Sequence, residues 1–98
     1  MVMSVDFDAL ARVEFDEAFN WYAERSPGAA IGFATEVDVA VESIAADPDR
    51  FQRTYAGCQL YRLKRYPYCV IYCRVGVSLR VVAIAHVKRR PAYWRDRL

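Results

Sequence analysis

In the first half of the chain, apolar residues recur every three or four positions, the spacing of one helix face. The two apolar sets are Ala11, Phe15, Ala18, Phe19 and Tyr22, then Ala30, Phe33, Val37, Ala40, Val41 and Ile44. Asp8 is a suitable N-cap for the first helix, because its carboxylate can accept an unpaired backbone N–H. Residues 25–28 interrupt the pattern, and Asp47-Pro48 ends it, because the residue before proline is disfavoured in helical geometry. The pattern predicts two helices that pack as an antiparallel hairpin.

The second half is rich in Val, Ile and Tyr, and alternates as strands do. Three strands are predicted, over residues 59–63, 66–75 and 78–87, with Gly76 and Val77 at the turn between the last two. Met3 to Phe7 can form a short first strand, and residues 51–57 are predicted to be a connecting loop. The order β-α-α-β-β-β predicts an α+β fold, with the helix hairpin packed on a curved, mainly antiparallel sheet. Residues 1–98 form one domain, and no internal repeat is visible.

Alternation along the last two strands separates their residues into two faces. We assign one set to the side covered by the helices, namely Cys69, Ile71, Cys73 and Val75 together with Leu79, Val81, Ala83, Ala85 and Val87. This assignment places Arg74, Arg80 and His86 on the open face, beside Tyr68 and Tyr72. The prediction is therefore one exposed basic face, edged by the run Lys88-Arg89-Arg90. The basic, aromatic tail behind it, residues 88–97, is expected to lie outside the core.

The net charge of +2 conceals a strong division between the two halves of the chain. Residues 1–49 carry two arginines against eleven acids, a net charge of −9. Residues 50–98 carry twelve Lys and Arg against one acid, a net charge of +11. This division favours an anionic or acidic partner for the second half. The alternative is that the two halves attract each other within the fold.

The three cysteines, Cys58, Cys69 and Cys73, are expected to be small buried apolar side chains in a reduced, cytoplasmic protein. Cys69 and Cys73 lie four residues apart, ~13 Å along a strand, too far for a disulfide. No apolar run reaches the ~18 residues of a membrane span, and the first residues lack the pattern of a signal peptide. The sequence has no CxxC pair, and His86 is its single histidine. It therefore predicts neither a metal site nor a cofactor.

Three motifs, in this order of elements, resemble the RelE/ParE family of bacterial toxins over essentially the whole chain. They are Asn20-Trp21-Tyr22, Tyr66-Pro67-Tyr68-x-x-x-Tyr72 and Ala83-x-Ala85-His86-x-x-Arg89-Arg90-Pro91-x-Tyr93-Trp94. The resemblance implies the toxin half of a type II toxin–antitoxin pair, of the plasmid-stabilisation kind. A cognate antitoxin would neutralise it by wrapping the toxin with its C-terminal segment, and oligomers would form through the antitoxin.

The family implies two different targets. ParE-like toxins inhibit DNA gyrase without known nuclease chemistry, whereas RelE-like toxins cut mRNA in the ribosome without a metal. An inactive relative that only binds its antitoxin is a third alternative. Transferred by position, the nuclease residues would be Arg62, Lys64, Arg89 and, more loosely, Tyr93. Cys69 stands where many relatives carry a phosphate-holding arginine, and a thiol supplies no such charge, so gyrase inhibition is favoured.

The remaining candidates would bind the target or the antitoxin through charge and aromatic contact. They are Arg65, Arg74, Arg80, His86, Lys88, Arg90 and Trp94. Each has a plainer interpretation. His86 can instead be a sheet histidine hydrogen-bonded to backbone or tyrosine, and Tyr93 and Trp94 can pack back across the sheet edge rather than stack on a base.

Overall fold

The computed structural model describes residues 2–98, and its elements confirm the predicted α+β fold. The elements are β1 (Val5–Phe7), α1 (Ala9–Arg25), α2 (Pro27–Ala46), β2 (Gln52–Arg53), β3 (Gln59–Arg62), β4 (Tyr68–Val75) and β5 (Ser78–His86). Short 3-10 helices occupy Pro48–Arg50, Tyr55–Gly57 and Tyr93–Arg97. The two long helices pack on one side of a five-stranded sheet with the strand order β1-β5-β4-β3-β2.

Capping residues stand at the start of the helix hairpin and at its turn; the sequence predicted the first, Asp8, and the structure reveals the second, Ser26. Asp8 accepts a hydrogen bond from the Leu10 backbone N–H at 2.9 Å, which confirms it as the N-cap of α1. Ser26 alone separates the two helices. Its backbone N–H donates to the Tyr22 carbonyl at 2.7 Å, while its hydroxyl accepts from the Ala29 N–H at 3.3 Å. Pro27 at the first helical position of α2 suits its fixed φ, so the turn can be this short.

The sheet is antiparallel except at one edge. β1 pairs with β5 in parallel, whereas β2, β3, β4 and β5 pair in antiparallel succession. The predicted loop over residues 51–57 is wrong in part, because Gln52 and Arg53 pair with β3 as a two-residue edge strand. Two polar residues carry no alternation, so the sequence offers no signal for this strand.

The predicted assignment of sheet faces is wrong for β4 and for the second half of β5. Val70 and Tyr72 of β4 pack in the cluster under the helices, while Ile71 faces the opposite side. In β5 the register moves from Ile71↔Ala83 to Tyr72↔Val81, which leaves Val82 as an unpaired bulge residue. A bulge inserts one residue and so exchanges the faces beyond it. The two clusters divide the strand residues into Val70, Tyr72, Leu79, Val81 and Ile84 on the helix side, and Ile71, Val82, Ala83 and Ala85 on the other.

The second side of the sheet is not open. The C-terminal 3-10 helix lies across it, and the indole of Trp94 packs there with only 2% of the residue exposed. The expectation that the tail lies outside the core is therefore wrong for Trp94. Because the tail covers this side, both faces of β4 and β5 are apolar, and alternation alone could not decide which face meets the helices.

The expectation of three reduced cysteines is also corrected. Cys58 lies one residue before β3, opposite Cys73 of β4, and the two sulfurs form a disulfide with Cα atoms 4.6 Å apart. That separation is within the range for cross-strand disulfides. Sequence spacing excluded a bond between Cys69 and Cys73, but it could not reveal that strand pairing brings Cys58 to Cys73. Cys69 is free.

Within residues 2–98, no helix is long and apolar enough to cross a membrane. The same part of the chain contains no group of three or more His, Cys, Asp and Glu side chains placed to hold a metal ion.

Candidate functional site: the basic end of the sheet

Two turns meet at one end of the sheet, and together they carry five exposed cations. One turn joins β3 to β4 and the other follows β5. They are adjacent because the Val87 N–H donates to the Pro67 carbonyl at 2.9 Å. We call this surface the basic end and define it as Lys64, Arg65, Lys88, Arg89 and Arg90. All five were predicted from the sequence as site residues, and the fold brings them together.

The first of these turns is held by contacts with α2. The carboxylate of Glu36 accepts the backbone N–H of Lys64 at 2.9 Å and that of Arg65 at 3.3 Å. Tyr66 donates its hydroxyl proton to the Ala29 carbonyl at 2.8 Å. A side chain at Gly32 would collide with that hydroxyl, so this close approach of turn and helix requires glycine. The turn therefore presents Lys64 and Arg65 on a braced backbone.

Arg62 braces the same turn from within. One of its guanidinium nitrogens donates to the carbonyls of Leu63 at 2.7 Å and Tyr66 at 2.6 Å, with a longer contact to that of Tyr68 at 3.4 Å. This nitrogen therefore ties together carbonyls from both sides of the turn, two of which also accept a backbone N–H, and its role is structural.

His86 organises the second turn. Its Nδ1 accepts the backbone N–H of Lys88 at 3.1 Å, and its carbonyl accepts that of Arg89 at 3.0 Å. The ring meets Tyr68 edge-on, with centroids 5.1 Å apart. These contacts favour the plainer interpretation of His86, as a sheet histidine bonded to backbone. Because Nδ1 accepts this hydrogen bond, the proton of the neutral ring belongs on Nε2.

A cleft of about 440 Å³ opens beside the basic end, between α1 and the ends of β4 and β5. Trp21 lies at its rim with half of its surface exposed, stacked under the guanidinium of Arg25 at 3.6 Å from the ring centroid. The walls combine acidic, basic and aromatic side chains. They are Glu14, Glu17, Ala18, Trp21, Tyr22, Pro67, Tyr68, Ile84, His86 and Arg89.

The C-terminal tail is anchored at the back of this cleft by Glu14. Its carboxylate accepts hydrogen bonds from the Tyr93 hydroxyl at 2.5 Å and from the two terminal nitrogens of Arg97 at 2.8 and 3.1 Å. It also accepts the backbone N–H of Ile84 at 3.0 Å, while Arg97 donates to the Val82 carbonyl at 2.9 Å. Sequence reasoning missed Glu14 and Arg97, because 83 positions separate them and nothing local links them.

Tyr93 is consequently committed to the tail anchor. Burial and the hydrogen bond to Glu14 raise the pKa of the Tyr93 hydroxyl. The guanidinium of Arg89 stacks over the Tyr93 ring, 3.8 Å from the ring centroid. Trp94 is buried on the second side of the sheet, as described above. The structure therefore shows the tail packed back on the sheet.

Cys69 pairs with Arg62 across β3 and β4, on the side of the sheet away from the helices. Burial raises the pKa of this thiol, and the nearby charge of Arg62 lowers it only in part. The position thus carries a neutral thiol beside an arginine that is bonded to backbone carbonyls.

Arg74 and Arg80 do not join His86, which corrects the prediction of one basic face. Arg74 lies at the opposite end of the β4–β5 hairpin, where it pairs with Asp49 at 2.9 Å. Arg80 contacts Asp8 at 3.7 Å. The physical reasons are the exchanged strand faces and the acidic residues that border the sheet. Cations are concentrated at one end of the sheet rather than over one face.

Comparison with known proteins agrees with this architecture. Residues 5–91 match the family model described as the ParE toxin of the type II toxin–antitoxin system parDE. No curated protein matches the chain significantly. Among solved structures, a chain of the chromosomal ParDE toxin–antitoxin system from P. aeruginosa is similar in fold. Its TM-score is 0.75 at 16% identity, over 87% of this chain and 96% of that chain. The family match covers most of the sequence, and the chain belongs to the ParE toxin family of type II toxin–antitoxin systems.

Proposed function

We propose that this toxin acts as a non-enzymatic inhibitor of DNA gyrase and is neutralised by a cognate antitoxin. The observation that carries the proposal is that two of the four nuclease-like residues, Arg62 and Tyr93, are engaged in structural hydrogen bonds. One Arg62 nitrogen bonds turn carbonyls, and the Tyr93 hydroxyl bonds Glu14. Cleavage of mRNA needs a group that activates the 2′-hydroxyl and free charge at the phosphate.

The protonation of Tyr93 and Cys69 supports the same proposal. Because its pKa is raised, the Tyr93 hydroxyl keeps its proton near neutral pH and cannot take one from a 2′-hydroxyl, and the neutral thiol of Cys69 adds no positive charge for a phosphate. Of the nuclease-like residues, Lys64 and Arg89 are left to supply positive charge, and the guanidinium of Arg89 is stacked on the Tyr93 ring. The basic end and the adjoining cleft are suited to binding a partner, and we assign them as the surface that faces the target.

An assay of gyrase supercoiling beside an assay of mRNA cleavage on translating ribosomes tests this function. We expect the purified toxin to block supercoiling and to leave mRNA intact. Unaffected supercoiling with cuts in phase with codons would establish the ribonuclease alternative instead. Loss of both activities would indicate a relative that only binds its antitoxin, and would also contradict the proposal.

Paired variants make the same test specific for the proposed surface. Lys64→Ala removes a cation of the basic end without breaking an ion pair among the described residues, and Arg53→Ala does so at the other end of β3. We expect Lys64→Ala to weaken gyrase inhibition several-fold and Arg53→Ala to leave it unchanged. Equal activity of both variants would remove the basic end from the target interface.

A further inference from the structure

The basic end has more positive charge than the rest of the protein neutralises. Its five cations face two carboxylates, Glu36 and Glu17. Glu36 contacts Arg65 at 3.8 Å, and Arg65 remains 87% exposed, so this pair is weak. Glu14, the third acid nearby, is already matched by Arg97 at 2.8 Å. The surface therefore keeps a surplus of about three positive charges.

From this surplus we propose that the basic end binds the phosphate backbone of duplex DNA. The ligand class follows from the composition of the surface. Protein-binding interfaces are depleted of charge at their centres, whereas protein–DNA interfaces are polar and strongly positive. The two turns present five exposed cations, and Leu63, the buried apolar residue of the first turn, belongs to the core under the helices and not to the surface.

The spacing of the two turns suits a phosphate backbone. The strands that lead into the two turns, β3 and β5, lie two inter-strand steps, ~10 Å, apart, because β4 runs between them. One strand of B-DNA places a phosphate every ~3.4 Å along the helix axis, so ~10 Å spans about three phosphates. Both turns are braced, by Glu36 and by His86, so binding orders only the long side chains.

This inference rests on the proposed function, because gyrase acts on duplex DNA and a bound toxin could contact that duplex. The contact would be independent of sequence, since phosphates position a protein without specifying bases. It would add a second attachment beside the protein contacts with gyrase. Acidic antitoxin would compete for the same cations.

Fluorescence anisotropy with a labelled 20-base-pair duplex and the full chain tests the inference. We expect a Kd of ~10⁻⁴–10⁻⁶ M that weakens with salt, with a log–log slope of about −3 for about three phosphates. Lys88→Ala with Arg90→Ala should make the slope shallower by about 2. The control, Arg53→Ala with Arg74→Ala, removes two arginines at the other end of the sheet, one of them paired with Asp49, and should keep the slope.

Several results would overturn the inference. They are undetectable binding at low salt, a Kd indifferent to salt, equal losses in both double variants, or tighter binding of single-stranded RNA than of the duplex. The measurement uses no gyrase, so its result does not depend on whether the toxin inhibits gyrase. Inhibited supercoiling without duplex binding would reject only the DNA contact. Duplex binding without gyrase inhibition would reject only the proposed function.

Discussion

Tyr72 shows how single residues connect the core to its polar boundary. Its ring is buried under the helices, and its hydroxyl donates to the Pro48 carbonyl at 2.5 Å. The side-chain amide of Gln59 donates to the same carbonyl at 2.8 Å and to that of Phe51 at 3.0 Å. Among residues 2–98, no buried side-chain nitrogen or oxygen lacks a partner. These bonds fasten the 3-10 turn after α2 to the sheet.

The buried hydroxyl makes stability sensitive to alkali. Burial, with a smaller contribution from Asp49, raises the pKa of Tyr72 to about 12. An unfolded tyrosine ionises near pH ~10, so between these values the unfolded chain loses the proton first. The stabilisation is therefore complete below pH ~10 and is lost as the pH rises through about 12.

We predict that Tyr72→Phe lowers the free energy of unfolding by about 1 kcal/mol at pH 7, because one hydrogen bond is lost while Gln59 still satisfies Pro48. Urea unfolding at pH 8 and pH 11 should show a smaller alkaline loss than in the wild type. Tyr55→Phe, at a half-exposed tyrosine, is the control. An unchanged alkaline loss in Tyr72→Phe would contradict the assignment.

At the scale of elements, the bulge in β5 and the C-terminal 3-10 helix act together. The bulge residue Val82 supplies a carbonyl to Arg97, and the N–H of Ile84, two residues on, donates to Glu14. β1 pairs with β5 only at residues 79–81, so beyond the end of β1 these backbone groups have no strand partner, and the side chains of Arg97 and Glu14 bond them instead. Trp94 fills the second side of the sheet beside the disulfide residue Cys58. The tail is thus a structural layer of the domain.

We predict that Trp94→Ala destabilises the protein by about 3–5 kcal/mol, because it leaves a cavity and uncovers apolar strand residues. Arg97→Gln should also destabilise, since the carboxylate of Glu14 would lose its partly buried ion-pair partner. Thermal unfolding followed by circular dichroism measures both effects. Arg95→Ala, at an exposed position of the same helix, should change stability by less than about 0.5 kcal/mol. Similar melting of all three variants would refute the anchoring role.

At the scale of the whole molecule, both interpretations of the divided charge hold in part. Among the described residues, four of the five ion pairs join an acid of the first half to an arginine of the second, which neutralises Arg65, Arg74, Arg80 and Arg97. The fifth pair lies within α1. Attraction between the halves therefore operates within the fold. It leaves most of the basic end unpaired, and this remainder is available to an anionic partner.

We predict that the antitoxin associates more slowly as salt rises, because an acidic segment is steered towards the basic end. Stopped-flow mixing between 50 mM and 500 mM salt should show an on-rate that falls several-fold or more in the wild type. Lys88→Ala with Arg90→Ala should reduce both the rate and its dependence on salt. On-rates indifferent to ionic strength would contradict this expectation.

The order of the elements was accessible from the sequence because it depends on local signals. The cap Asp8, the break at residues 25–28, the proline after Asp47 and the two periodicities act over a few residues. The family resemblance was visible for the same reason. Local patterns were enough to predict the α+β class, the helix hairpin and the strands β3, β4 and β5. They also singled out the five cations of the basic end, but grouped them with Arg74 and Arg80, which the fold places elsewhere.

Tertiary structure alone decided the faces of β4 and β5, the disulfide, the two-residue β2 and the anchoring of the tail. Each depends on partners distant in sequence. One bulge at Val82 reverses a face without altering composition, and strand pairing brings Cys58 to Cys73. Glu14 meets Arg97 across 83 positions. Local propensity carries no information about such contacts, because they exist only when the whole sheet and its two covering layers are assembled.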